Sequence, residues 1–227
     1  MFIANKMPRS ISAESYRSIR TSINYSSVDK RIKTLVVTSS IAGEGKSTVS
    51  GNLAYVLSEN KNKVLIIDCD LRKPSLHKKF KVSNEVGITD LLVDKCTEKE
   101  VIISVGEGVD LITAGTLPPN PAEVIGSNML KKFIDEMSVR YDYIVIDTPP
   151  VMAVTDAQLL AAKCDGTILV VRAKKTKGKY IKHAYNELEK VRANIIGSIL
   201  NGSDLKEKYG YYKHYSESSK KKFRIAR

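Results

Sequence analysis

A doubly wound, mostly parallel α/β sheet is predicted by three observations on this chain. Short β-branched runs alternate with helical patterns from Thr34 onward, a glycine-rich loop joins the first such run to the first such helix, and two later runs end in aspartate. Ahead of the sheet, Ser12 to Tyr25 places Ile19 and Ile23 on one helical face beside Tyr16, with Glu14, Arg17 and Arg20 interleaved, which predicts an N-terminal helix. Strands are expected near 34–38, 63–68, 109–113, 142–147, 167–172 and 195–200, and helices near 47–59, 127–139, 155–163 and 178–193. The stretch from Gly106 to Pro121 is rich in Gly and Pro, and a crossover with small helices is expected between the second strand and Pro121. Beyond about Ser203 the periodicity stops in a mixture of Lys, Ser and Tyr. One domain over residues 1–202 and a flexible basic tail over 203–227 are therefore expected.

Composition narrows the class. With 42% apolar and 27% charged residues the chain is expected to fold as a compact globular unit. The apolar runs are too short to span a bilayer and the start has no signal-peptide core, so a cytoplasmic location is expected. Cys69, Cys96 and Cys164 are widely spaced and form no CxxC pair, which reads as structural thiols. His77, His183 and His214 are isolated and read as surface residues. The formal charge of +12 asks for an anionic partner, be it a nucleotide, a nucleic acid or an acidic membrane face.

The loop Thr38-Ser39-Ser40-Ile41-Ala42-Gly43-Glu44-Gly45-Lys46-Ser47-Thr48 supplies that anion site. It follows a strand and opens a helix, where backbone N–H groups and the helix dipole converge on a negative ligand. Against G-x-x-x-x-G-K-[ST], Ser40 stands for the first glycine, Gly45, Lys46 and Ser47 match, and Gly43 lets the loop curl. Lys46 would reach the outer phosphates, the Ser47 hydroxyl would ligate magnesium, and Thr48 would assist at the α-phosphate. Gly43, Glu44 and Gly45 complete the nucleotide-binding set of a P-loop nucleoside-triphosphate fold, with ATP and Mg2+ as the implied ligands. Two carboxylates, Asp68 and Asp70, emerge where Val64-Leu65-Ile66-Ile67 ends, suited to metal or general-base work. A third, Asp147, follows Tyr143-Ile144-Val145-Ile146 and reads as the Walker B acid.

At these residues the chain resembles the bacterial tyrosine kinases, cytoplasmic P-loop kinases associated with capsule and exopolysaccharide synthesis. The resemblance rests on Ser39 to Thr48 as Walker A, Val64 to Pro74 as the additional A′ motif, and Ile144 to Pro150 as Walker B. Glu14-x-x-Arg17-x-x-Arg20 is similar to the family's oligomerisation motif, and Tyr209, Tyr211, Tyr212 and Tyr215 to its autophosphorylation cluster. It implies tyrosine phosphorylation, with Asp68 as acceptor of the tyrosine proton, Asp70 and Asp147 organising magnesium, and the split between Asp68 and Asp70 open. It further implies a homo-oligomer, protein tyrosine substrates, and a separate transmembrane activator whose cytoplasmic segment recruits the kinase to the inner face of the membrane. No nucleic acid is expected. The family often has Pro where this chain has Ala42, which makes the loop less rigid.

The main rival is an ATPase switch like the partition and division-site ATPases, without protein kinase activity. Those carry a signature lysine early in the phosphate loop, where this chain has Ile41. A second rival is a nucleotide-dependent binding protein that uses the basic tail on nucleic acid or lipid. Asn201 either reads the adenine edge or forms a turn before Gly202. Arg72 and Arg172 either order the crevice or are surface charges.

Overall fold

The computed structural model describes residues 2–26 and 32–203. Its core is a seven-stranded sheet built from β1 (Thr34–Ser39), β2 (Val64–Asp68), β3 (Ile103–Gly106), β4 (Val109–Ile112), β5 (Tyr143–Asp147), β6 (Gly166–Arg172) and β7 (Ile195–Asn201). The order across the sheet is β3-β4-β2-β5-β1-β6-β7. Every neighbouring pair is parallel except β3 with β4. Strands β1, β2 and β5 are buried along their whole length, as β-branched runs covered on both faces must be.

Helices lie on both faces. The first residues of α3 (Lys46–Ser58) continue directly from the β1 loop, and nine of the thirteen residues of this helix are buried. Its lack of a polar face has a cause: the sheet lies on one side, and α1 (Ile3–Lys6) and α2 (Ile11–Tyr25) cover the other. Ser10 caps α2 by accepting from the Ala13 N–H at 3.2 Å, and Ile23, Ile19 and Tyr16 face the core as the periodicity predicts. On the opposite face α8 (Asn128–Arg140) packs against β5, and α9 (Asp156–Ala161) with α10 (Gly178–Lys190) covers β6.

The expected elements are present, and the crossover holds the small helices α4 (Leu76–Phe80), α5 (Ile88–Leu91) and α6 (Glu98–Val101), with α7 (Pro121–Gly126) following β4. The additional elements include α1, α7 and the edge strand β3, which consists of three half-exposed residues and the exposed Ser104 and pairs antiparallel with β4. Phe2 anchors α1. It is 5% exposed, packs tilted against the Phe80 ring with centroids 4.4 Å apart, and its Cε1 lies 2.0 Å from where a Cβ on Gly51 would stand. Glycine at 51 is what lets this ring reach α3.

Candidate active site

Strand order explains the site. Because β5 lies between β2 and β1, the carboxyl ends of three adjacent strands deliver Asp68, Asp147 and the glycine-rich loop to one place, with Asp68 and Asp147 paired in register. Gly45 takes φ +96, and a Cβ there would fall 2.0 Å from the Asn201 Nδ2, so only glycine closes this turn. Lys46 is 8% exposed at the base of a cleft of about 430 Å³, lined also by Gly43, Ser47, Thr48, Asp70, Arg72, Lys73, Lys79 and Pro149.

Each acid has a different environment. Asp68 is fully buried, and its oxygens accept from the backbone N–H of Asp70 at 3.2 Å, Ser75 at 3.0 Å and Leu76 at 2.9 Å. Asp147 is equally buried; its Oδ1 accepts from the Ser50 hydroxyl at 2.9 Å, and its Oδ2 has no hydrogen-bond partner. Burial raises the pKa of both carboxyls, and the charge of Asp147 adds to the rise at Asp68, whereas Lys46, Ser47 and Ser50 partly offset it at Asp147. Asp70 is 9% exposed and opens on the cleft, with Oδ1 accepting from Lys73 N–H at 3.0 Å; burial raises its pKa as well, and Lys46 opposes the rise. A buried carboxylate oxygen without a partner beside a serine hydroxyl is the donor set a small hard dication takes, so these residues fit magnesium.

The structure also ties motif residues to Ser75, Asp156 and Thr176, which the motifs do not contain. Ser75 donates its hydroxyl to Ser47 Oγ at 2.8 Å, tying the A′ segment to the phosphate loop. Arg72 makes a two-point contact with Asp156, Nε to Oδ2 at 3.0 Å and Nη2 to Oδ1 at 3.1 Å, which fastens that segment to α9. Asp156 follows Thr155 at a helix start and carries no signal in the sequence beyond a first-turn acid. Glu44 is fully buried: its Oε2 accepts from the Ile41 N–H at 2.8 Å and its Oε1 from the Thr176 hydroxyl. Its side chain therefore shapes the loop from below and does not line the cleft.

Asn201 donates Nδ2 to the Glu44 carbonyl at 2.9 Å, which leaves its own Oδ1 as the end available to a base. It lines a second cleft of about 400 Å³ with Tyr16, Asn52 and Leu200, and Thr48 borders both clefts. Arg172 is exposed, lies against Gly202, and does not line the phosphate cleft. His77 departs from the surface reading: it is half-buried on α4 with Nδ1 sealed from solvent, and burial, with Lys78 next to it, lowers its pKa. Cys69 is fully buried, whereas Cys96 and Cys164 are half-buried.

The predicted assembly motif is engaged within the subunit. Arg17 Nε donates to both oxygens of Glu59, at 2.9 and 3.1 Å, and Arg20 Nη1 donates to Glu59 Oε2 at 2.5 Å and to the Val56 carbonyl at 2.8 Å. Both arginines thus hold the carboxyl end of α3, and Glu14, 66% exposed, faces outward while accepting from Arg17 Nη1 at 3.0 Å. Tyr209, Tyr211, Tyr212 and Tyr215 lie outside the described residues.

A cradle of this construction places the protein among the α/β P-loop proteins that bind nucleoside triphosphates. The AAA domain family model matches residues 32–200. Sequence comparison narrows the class: YwqD of Bacillus subtilis (strain 168), a tyrosine-protein kinase, is 41% identical over 213 residues, covering 92% of this chain and 90% of its own. CapB of Staphylococcus aureus is 37% identical over 211 residues, 92% of each chain. Among solved structures, the chimerical protein CapA2B2 superposes with a TM-score of 0.85 at 35% identity over 88% of each chain. The kinase domain of Escherichia coli tyrosine kinase ETK gives 0.85 at 34%, covering 89% of this chain and 80% of its own. This chain belongs to the bacterial tyrosine-protein kinase family. The cell division ATPase MinD of Pyrococcus furiosus, with a TM-score of 0.62 at 23% identity, shares the fold. Among the described residues no helix is long and apolar enough to cross a membrane.

Proposed function

We propose that this protein is an ATP-dependent, autophosphorylating protein-tyrosine kinase that regulates capsule or exopolysaccharide synthesis. The observation that carries the reading is the convergence of Lys46, Ser47 and three carboxylates at adjacent strand ends, in a chain 41% identical to a tyrosine-protein kinase over nearly its whole length. Gly43, Glu44 and Gly45 present backbone N–H groups to the phosphates, Lys46 takes the outer phosphates, and Thr48 the α-phosphate. Ser47 and Asp147, supported by Asp68, would hold the magnesium, which when bound would supply charge neutralisation on the phosphate oxygens.

Tyrosine oxygen attacks the γ-phosphorus, the bond to the β–γ bridging oxygen breaks, ADP leaves, and the phenolic proton passes to a carboxylate. The environments favour a division of the A′ acids. Asp68 is sealed and already accepts three backbone N–H groups, so it suits a fixed support for the metal; Asp70 opens on the cleft and is the acid an incoming hydroxyl can reach. Asp70 is accordingly our choice of proton acceptor, reversing the roles implied by the resemblance alone. Asn201 Oδ1 is assigned to the adenine amino group. Tail tyrosines 209, 211, 212 and 215 are the acceptors in a neighbouring subunit, Glu14 with Arg17 and Arg20 forms the subunit contact, and a membrane activator supplies a cytoplasmic segment.

Phosphotyrosine mapping after incubation with ATP and magnesium tests the reading. Phosphate on the tail tyrosines supports it; ATP hydrolysis with no modified tyrosine, with or without an activator segment, would replace it with the ATPase-switch reading.

A further inference from the structure

Lys79 has no part in the phosphate-loop motif, yet it lines the same cleft as Lys46. Its Nζ donates to Thr48 Oγ1 at 3.0 Å, from the opposite wall of the cleft and 31 residues further along the chain. Two contacts hold α4 where this is possible. At its start the backbone N–H groups of Ser75 and Leu76 are bound by Asp68, and at its end Phe80 packs against Phe2. The lysine therefore projects from a segment fixed at both ends.

A hydroxyl that accepts from an ammonium keeps its own hydrogen for a further acceptor, and the ammonium makes that hydrogen a better donor. Thr48 borders both clefts, the one that suits the phosphates and the one that holds Asn201. On the proposed nucleotide site the α-phosphate would pass between them at Thr48. We infer that Lys79 is a positioning residue for the nucleotide: it holds and polarises the Thr48 hydroxyl and adds a positive charge at the α-phosphate, so that it strengthens ADP and ATP binding alike. This inference rests on the proposed nucleotide site and assigns to α4, beyond its support of Asp68, a grip on the part of the nucleotide common to substrate and product.

The test is displacement of a fluorescent ADP analogue by ADP and by ATP, with magnesium, from the full chain and from Lys46→Met, Lys79→Met, Lys79→Arg, Thr48→Ala and the Lys79→Met/Thr48→Ala double variant. Loss of a charge-assisted hydrogen bond predicts about tenfold weaker binding of both nucleotides to Lys79→Met. Lys79→Arg should retain affinity to within about threefold, since it keeps the charge and a donor. The double variant should bind about as weakly as the worse single variant, because the two residues act in series. Lys79→Met binding within about twofold of the parent, a loss confined to ATP, or additive losses with Thr48→Ala would each overturn the inference while Lys46→Met still shows the loop to be the nucleotide site. A parent chain that binds neither nucleotide removes the nucleotide site itself, and the inference with it.

Discussion

Replacing Asp147 by asparagine should make the protein without ligand more stable while abolishing its chemistry. Asp147 and Asp68 are both 0% exposed and stand side by side on β5 and β2, and Asp147 Oδ2 has no hydrogen-bond partner. Each pKa unit by which such a carboxyl is raised corresponds to about 1.4 kcal/mol of disfavoured ionisation. The amide keeps an oxygen for Ser50 and removes the charge, and Lys46 retains Asp70 as a counter-charge. After allowing for the amide's own hydrogens, a net gain of about 1–2 kcal/mol at about pH 8 is expected, or about 2–8 °C in Tm for a domain of this size. The sign follows from linkage. Folding raises both carboxyl pKa values above the ordinary 3.8, so the folded state binds more protons, and the stability they contribute is present at low pH and lost as pH rises through the raised values. The advantage of Asp147→Asn should therefore be smaller at about pH 5, below the raised values, and approach zero only towards the ordinary 3.8, where the unfolded chain is protonated as well. Urea unfolding of both chains at the two pH values, alongside phosphate transfer, measures this. A variant less stable than the parent at the higher pH, or one whose gain is the same at both, would refute the reasoning.

Three further outcomes follow from the same contacts. Gly51→Ala should displace Phe2 and cost about 1–3 kcal/mol, and Phe2→Ala added to it should restore part of that loss, visible as non-additive shifts in unfolding midpoint. Arg17→Ala with Arg20→Ala should cost the isolated subunit about 1–2 kcal/mol by stranding Glu59, and should also reduce assembly and tail phosphorylation; unchanged thermal stability with normal sedimentation would count against both roles. Asn201→Ala should narrow the preference for ATP over GTP in competition binding, because Oδ1 is the acceptor offered to an adenine amino group; an unchanged ratio would assign Asn201 to the Glu44 contact alone.

What the sequence discloses and what it hides divide along sequence separation. The loop from Thr38 to Thr48 is legible because strand, glycines, lysine and helix start are contiguous, and α2 because Tyr16, Ile19 and Ile23 repeat at helical spacing. The placement of β5 between β1 and β2 is not legible, since nothing local dictates strand order, and it is this placement that sets Asp147 beside Asp68. Likewise the Arg17–Glu59 pair joins residues 42 apart, so the sequence does not disclose that a motif readable as a docking face also fastens α2 to α3. Edge strand β3 escaped because four residues, none of them buried, carry little alternation. Burial depth and backbone hydrogen bonds together separate the environments of Asp68 and Asp70, two residues apart in the chain and alike in sequence.

The central claim, that this site transfers phosphate from ATP to tyrosine, is tested most directly with labelled ATP and magnesium. The intact chain, Lys46→Met and a chain ending at Ser203 would be compared, each with and without the cytoplasmic segment of a candidate activator. The account predicts label on tyrosine in the intact chain, none in Lys46→Met and none in the shortened chain. Label retained by Lys46→Met, or hydrolysis without any labelled tyrosine, would contradict it.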